Sequence, residues 1–300
     1  MKSEGTPAAP RTAGEMVAMA RAFLTRKGVE SARLESELLV AHALSITRLK
    51  LFMELDRPIA PPEIDAAREL LVRRGKREPC AYILGEREFF GRPFKVGAGV
   101  LVPRPETEHI VDRARDLARA RAERGDPIRR VADLGTGSGI LAVTLALEIE
   151  GADVLAVDVS AAALAYAREN AAQLQAAQVR CEEGDGFEVL SRAVSQAGAP
   201  FDLVVCNPPY IRPADRGTLE PEVREHEPEL ALFAPAADPD YFARRLINER
   251  AQLVARGGTI LVELGHDQAP GIRAIAQAAG ADAHFIRDYG GHERVLEIRV

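Results

Sequence analysis

The chain has 300 residues, 47% hydrophobic and 28% charged; this is about twice a typical domain, supports a buried core, and excludes collagen-like, coiled-coil and disordered classes. Three distant cysteines, Cys80, Cys181 and Cys206, form no CxxC pair, and no run approaches the roughly 18 apolar residues of a membrane helix, so a soluble cytoplasmic protein without a disulfide framework or membrane association is expected. The formal charge of −6 is uneven, with 14 Lys and Arg against 11 Asp and Glu in residues 1–85 and 25 against 34 in 86–300, the opposite of what a duplex-DNA binder carries at its working site.

From Gly14 to Gly28, the residues Met16, Met19, Ala20, Phe23 and Leu24 recur at helical spacing, and Gly28 suits a C-terminal cap. Ser31 precedes a second helical run with Leu34, Leu38, Leu39 and Ala43. Pro61-Pro62 opens a third, with Ile64, Ala67, Leu70 and Leu71. Residues 1–85 therefore read as a small helical domain. Residues 86–104 read as a β-hairpin linker, its pieces Glu88–Phe90, Pro93–Val96 and Val100–Val102 punctuated by Gly91, Gly97 and Gly99. Pro105 then opens a long helix through Arg124.

From Arg130 onward strands and helices alternate. Strands are predicted at Val131–Leu134, Val154–Val159, Val179–Glu182, Phe201–Cys206, Thr259–Leu264, His284–Arg287 and Arg294–Val300, with helices from Ile140 and Ala161. Such alternation over 105–300 implies an α/β, doubly wound, mostly parallel sheet, with its ligand crevice outside the carboxyl ends of the strands.

Asp133-Leu-Gly135-Thr136-Gly137-Ser138-Gly139 follows the first of these strands and opens a helix, where glycines let the backbone turn sharply and approach a ligand. The spacing is GxGxG rather than the GxGxxG of dinucleotide folds, and the Lys of a P-loop is missing. Asp158, ending the next strand, is placed to accept the two hydroxyls of a ribose. A purely structural turn is the alternative for the loop alone. Together, the loop and Asp158 resemble class I S-adenosylmethionine-dependent methyltransferases, and Asp185-Gly186-Phe187 resembles their adenine-contacting segment. The resemblance implies a Rossmann-like sheet with an antiparallel last strand. It also implies S-adenosylmethionine as cofactor, leaving as S-adenosylhomocysteine.

Phe201–Cys206 delivers Asn207-Pro208-Pro209-Tyr210 to the same sheet edge. An amide nitrogen attacks poorly because its lone pair is delocalised, so a catalyst must hold the NH2 group with that lone pair aimed at the methyl carbon. The Asn207 side-chain oxygen and the Pro208 carbonyl supply two acceptors for two N–H bonds, and Tyr210 can stack on a flat amide or base. A strand-ending turn is the plain alternative. The motif resembles that of methyltransferases acting on planar NH2 groups: adenine N6, cytosine N4 or glutamine N5.

Further segments narrow the choice. Pro79–Gly85, Glu88–Gly91, Phe94–Val96, Leu101-Val-Pro-Arg104-Pro-Glu106-Thr107-Glu108, Arg224–Pro228 and Arg287–Arg294 resemble the HemK/PrmC family of release factor glutamine methyltransferases, across almost the whole chain. That resemblance implies methylation of the glutamine in the Gly-Gly-Gln loop of peptide chain release factors, by direct in-line transfer, with the helical domain gripping the factor. It carries over Gly135 to Gly139, Asp158, Asp185, Gly186 and Asn207 as cofactor-binding residues. Asn207 to Tyr210 carry over as catalytic and substrate-binding. Arg104, Glu106 and Thr107 would shape the pocket from the linker side, although they also read as a helix N-terminus with Pro105 at its first position. A ribosomal-protein glutamine methyltransferase, an adenine DNA methyltransferase and a non-catalytic S-adenosylmethionine-binding module are the alternatives. A monomer is expected. The six histidines show neither HxxxH nor HExxH, so no metal is expected, and Cys206 reads as a small buried hydrophobe.

Overall fold

In the computed structural model, which describes residues 9–300, the chain divides into two units. One runs to Gly85 and includes Pro221–His226; the other comprises Glu86–Glu220 and Glu227–Val300. The helical unit contains α1 (Ala13–Arg26), α2 (Ala32–Ala43), α3 (Arg48–Met53), α4 (Pro61–Gly75) and α5 (Cys80–Leu84). Thr12 caps α1, its hydroxyl accepting from the Glu15 amide at 3.3 Å, and Gly28 closes it at φ +74°.

The buried stripe of α1 is Met16, Ala20 and Leu24, with Met19 turned out. In α2 the stripe runs through Ala32, Ser36, Leu39 and Val40, so Leu34, predicted to be core, faces solvent instead. Polar Ser36 and Glu37 take the inner positions: the Ser36 hydroxyl donates to Arg33 O at 2.8 Å, and Glu37 pairs with Arg48 at 2.7 Å. These partners offset the cost of burial. Helix α3 escaped the sequence pattern because Leu49, Phe52 and Met53 are exposed and only Leu51 is buried, which leaves no periodic signal. Buried Arg74 of α4 pairs with both Glu35 and Glu222, which ties Pro221–His226 to this unit.

The second unit opens with β1 (Glu86–Phe89) and β2 (Arg92–Lys95), an antiparallel hairpin turning at Phe90 and Gly91, both at positive φ. Val100–Val102, predicted as a third piece of strand, is not one: the Val102 amide donates to the carboxylate of Glu227 at 3.1 Å rather than to a ladder. A single 3-10 turn, Pro105–Thr107, leads into α6 (Glu108–Glu123). There follow β3 (Arg130–Leu134), α7 (Ile140–Glu148), β4 (Asp153–Asp158), α8 (Ala161–Gln173), β5 (Val179–Glu183), α9 (Gly186–Ala197), β6 (Phe201–Cys206), β7 (Val254–Glu263), β8 (Asp282–Arg287) and β9 (Glu293–Arg299), with helices Tyr241–Leu253 before β7 and Ala269–Ala278 after it.

The seven strands lie in the order β5-β4-β3-β6-β7-β9-β8. β9 runs antiparallel to both neighbours, the expected orientation for the last strand. Both faces are covered, which is why the central strands are apolar throughout: Val131, Leu203 and Leu261 pack in one core, Ala132, Val204 and Ile260 in the other. β7 starts at Val254, earlier than predicted, because Gly257-Gly258 interrupts its pattern; a Cβ on Gly258 would sit 2.7 Å from the Asp202 carbonyl. The order in which strands are laid across the sheet reverses between β3 and β6. That switch point is where an open α/β sheet leaves a crevice. Among the described residues, no helix is long and apolar enough to cross a membrane.

Candidate active site

A cavity of about 490 Å³ opens at the carboxyl ends of β3, β4, β5 and β6. Gly135, Thr136, Gly137 and Ser138, Asp158, Asp185 and Gly186, Asn207, Pro209 and Arg104 are among its lining residues. The loop after β3 is stitched onto β4, the amides of Gly135 and Thr136 donating to Val157 O at 2.8 and 2.9 Å. Gly135 and Gly137 lie at φ +76° and +56°, and no atom lies within 4 Å of where either Cβ would be. A side chain there would enter open space, but the left-handed backbone disfavours one. Gly139 serves packing instead, since its Cβ would sit 3.0 Å from Ala167 Cα; the bare backbone permits α7 and α8 to approach.

Asp158 accepts from the Gly137 amide on one oxygen and from the Ser160 amide on the other, both at 2.9 Å. Each oxygen retains a second lone pair. Asp185 caps α9, accepting from the amides of Phe187 and Glu188 at 3.0 and 3.2 Å. Gly186 lies against β3: a Cβ there would fall 1.9 Å from Leu134 Cδ1. Phe187 and Phe242, stacked at 6.0 Å, form an apolar wall.

Asp133 is a lining residue to which the sequence reading gave no role. Asp133 is wholly buried; its Oδ2 accepts from the Thr136 hydroxyl at 2.7 Å and the Ala142 amide at 3.0 Å, while Oδ1 has no partner. Burial, helped by nearby Asp158, pushes its carboxyl up to about 7. The available signal was an acid one residue before the end of the strand that feeds the glycine loop.

Leu134 and Cys206 are register partners, so Gly135 and Asn207 leave the sheet side by side. Asn207 Nδ2 donates to Thr107 Oγ at 3.0 Å, and the Thr107 hydroxyl donates to Glu263 Oε2 at 2.6 Å. The Tyr210 hydroxyl lies 3.4 Å from the other Glu263 oxygen, and its ring packs against Gly265. Burial raises the Tyr210 phenol well above its ordinary value. Glu263, 2% exposed, is pushed up to about 7 by burial and by Glu106, against the hydrogen bond from Thr107 and the charge of Arg294. Glu263 was missed because it ends an apolar strand far along the chain from Asn207.

Arg104 pairs with buried Glu227 at 2.6 Å, while Glu106 is exposed. Pro208, Tyr210, Glu106 and Thr107 stand behind or beside the cavity rather than in its lining. The helix-start reading accounts for Pro105 but not for Thr107, whose hydroxyl caps nothing and turns to Glu263. The Cys206 thiol is fully buried and pushed well up by burial, then by Asp133 and Glu263, so it is not a ready thiolate. Chemically, the site joins an apolar cleft with buried acids to a carboxamide whose nitrogen is already engaged.

Residues 15–85 match the PrmC N-terminal domain and residues 111–219 the methyltransferase small domain. The chain is 40% identical to the release factor glutamine methyltransferase of Geobacter sulfurreducens, over 93% of this chain and 94% of that one. It is 39% identical to the release factor glutamine methyltransferase of Chlorobaculum tepidum, over 94% and 95%. Among solved structures, the human methyltransferase 10 domain containing protein matches with a TM-score of 0.52 at 19% identity, covering 71% of this chain and 90% of that one; the likeness is one of fold.

Proposed function

The chain belongs to the release factor glutamine methyltransferase family, and from that premise we infer that it transfers a methyl group from S-adenosylmethionine to the side-chain amide nitrogen of a release factor glutamine, that of the Gly-Gly-Gln loop. The residues present suit that cofactor. The unpartnered oxygen of buried Asp133 matches an ammonium group, Gly135 and Gly137 leave room at the backbone, and Asp158 keeps two free lone pairs for ribose hydroxyls. When bound, S-adenosylmethionine would supply an electrophilic methyl group on a sulfonium; the new nitrogen–carbon bond would form at the expense of the carbon–sulfur bond, leaving S-adenosylhomocysteine, and the proton lost from nitrogen would pass to water.

Asn207 and the Pro208 carbonyl accept the two N–H bonds of the substrate amide. This turns the nitrogen lone pair toward the methyl group and offsets positive charge that develops on nitrogen, a contribution made mainly in the transition state. Arg104, with Glu106 and Thr107, borders the site from the linker, and the helical unit grips the factor. A protein loop suits residues 86–300, with 25 Lys and Arg against 34 Asp and Glu, better than DNA does. One chain supplies every group named, as a working monomer requires.

The observation that carries this reading is Asn207: its nitrogen is held by Thr107 beside the glycine-loop cavity, so its oxygen is the atom left to accept. Mass spectrometry of a release factor incubated with the protein and S-adenosylmethionine should place one methyl on the loop glutamine. Asn207→Ala should lower the rate about 100-fold or more, the scale of losing one charge-stabilising group. A methyl on another residue, or an undiminished rate in the variant, would overturn the assignment.

A further inference from the structure

Glu263 has no part in the transfer just described, yet it anchors the hydrogen-bonded run that ends on Asn207. A carboxamide's oxygen and nitrogen are nearly isosteric, so partners alone decide which one faces a substrate. Thr107 has a single hydroxyl proton. Beside an ionised Glu263, which can only accept, that proton goes to the carboxylate at 2.6 Å, and the hydroxyl oxygen is left to accept from Asn207 Nδ2 at 3.0 Å. We propose that Glu263 is a positioning residue for methyl transfer, acting through Thr107 to hold the Asn207 carboxamide with its oxygen toward the acceptor NH2 group. The proposal rests on the reading of Asn207 as the partner of the substrate amide.

The surroundings of Glu263 fit this role. From the turn after β6, the Tyr210 hydroxyl donates to the second carboxylate oxygen, leaving Thr107 the first. The Pro105–Thr107 turn adds the negative charge of Glu106, and β9 adds the positive charge of Arg294. Arg294 is itself held by Leu264 O at 3.0 Å and Asp288 at 3.2 Å, so its charge acts from a distance. On the neighbouring strand β6, Cys206 stays a neutral thiol.

Protonation reverses the logic. A neutral Glu263 can donate to Thr107, whose proton then goes to Asn207; the carboxamide turns over and sets NH2 against NH2. Since the carboxyl titrates at about 7, the reversal falls within the range of an ordinary assay.

The test is a single-turnover rate profile from pH 5.5 to 9 for the wild type and the variants Glu263→Gln, Thr107→Val and Thr107→Ser, with S-adenosylmethionine affinity measured by calorimetry. The wild-type rate should fall as pH drops through an apparent pKa near 7. At pH 8, Glu263→Gln and Thr107→Val should each lose about tenfold or more, the worth of one misdirected hydrogen bond. Glu263→Gln should also lose the acid limb, Thr107→Ser should recover the rate lost in Thr107→Val, and cofactor affinity should hold throughout. If Glu263→Gln does not fold, the two Thr107 variants decide. A wild-type rate in Thr107→Val, or an unchanged acid limb in folded Glu263→Gln, would overturn the proposal while leaving the function intact; a wild type that methylates no glutamine would overturn the function itself.

Discussion

Replacing Asp133 by Asn should make the cofactor-free protein more stable at alkaline pH while weakening its hold on S-adenosylmethionine. The side chain is fully buried, one of its oxygens has no partner, and its carboxyl sits at about 7 instead of 3.8. Because the folded-state value is raised, the native protein binds a proton that the unfolded chain has already lost between about pH 4 and 7. Stability from this group is complete below about pH 4 and is lost as pH rises to 7, at about 1.4 kcal/mol per pH unit, which makes about 3 kcal/mol between pH 5 and 8. Asparagine does not titrate and can keep its oxygen on Thr136 and the Ala142 amide, so this slope should vanish. Its NH2 group takes the unpartnered position, which costs about 1–3 kcal/mol at every pH. Urea unfolding of cofactor-free wild type and variant at pH 5, 6, 7 and 8 isolates the slope, because Glu263 contributes equally to both proteins. The stability difference between variant and wild type should grow by about 3 kcal/mol from pH 5 to 8, while calorimetry should show cofactor affinity reduced about tenfold or more. A difference constant across the four pH values would refute the argument that Asp133 is held against its own ionisation.

Asp158→Ala should raise the apparent cofactor KM more than it lowers kcat, since ribose contacts are alike in ground and transition states; steady-state kinetics showing the reverse would mean that Asp158 acts in the chemistry. Cys206→Ala should leave turnover within about threefold of wild type and cost about 1 kcal/mol of stability for the lost side-chain volume. Abolished turnover in a folded Cys206→Ala protein would contradict direct transfer. Gly186→Ala should overpack α9 against Leu134, costing about 1–3 kcal/mol despite alanine's better helix propensity; thermal unfolding at or above the wild-type temperature would show that Leu134 simply moves aside.

Where local chemistry dictated the structure, the sequence was readable. The GxGxG loop announced itself because glycines in left-handed conformations must follow one another within a few residues, and Asn207 because a buried apolar strand ends abruptly in Pro-Pro. The β1–β2 turn and the succession of strands along the chain from Arg130 onward were legible for the same reason. Periodicity failed where burial is settled by partners rather than by hydropathy. Glu37 is inside because Arg33 and Arg48 meet it, and α3 is a helix whose apolar residues mostly face outward. The same limit hid the polar support of the site. Thr107 looked like part of a helix start, and Glu263 was one unremarked residue of the predicted strand Thr259–Leu264. Their relation exists only because β7 lies beside β6 and brings its last residue level with the turn that β6 feeds, while the Pro105–Thr107 turn supplies the hydroxyl between them. Residues that touch a substrate sit in short motifs because several must converge from one loop. Residues that hold those in place are chosen by the sheet order, and a strand order of this kind is not written in any single stretch of chain.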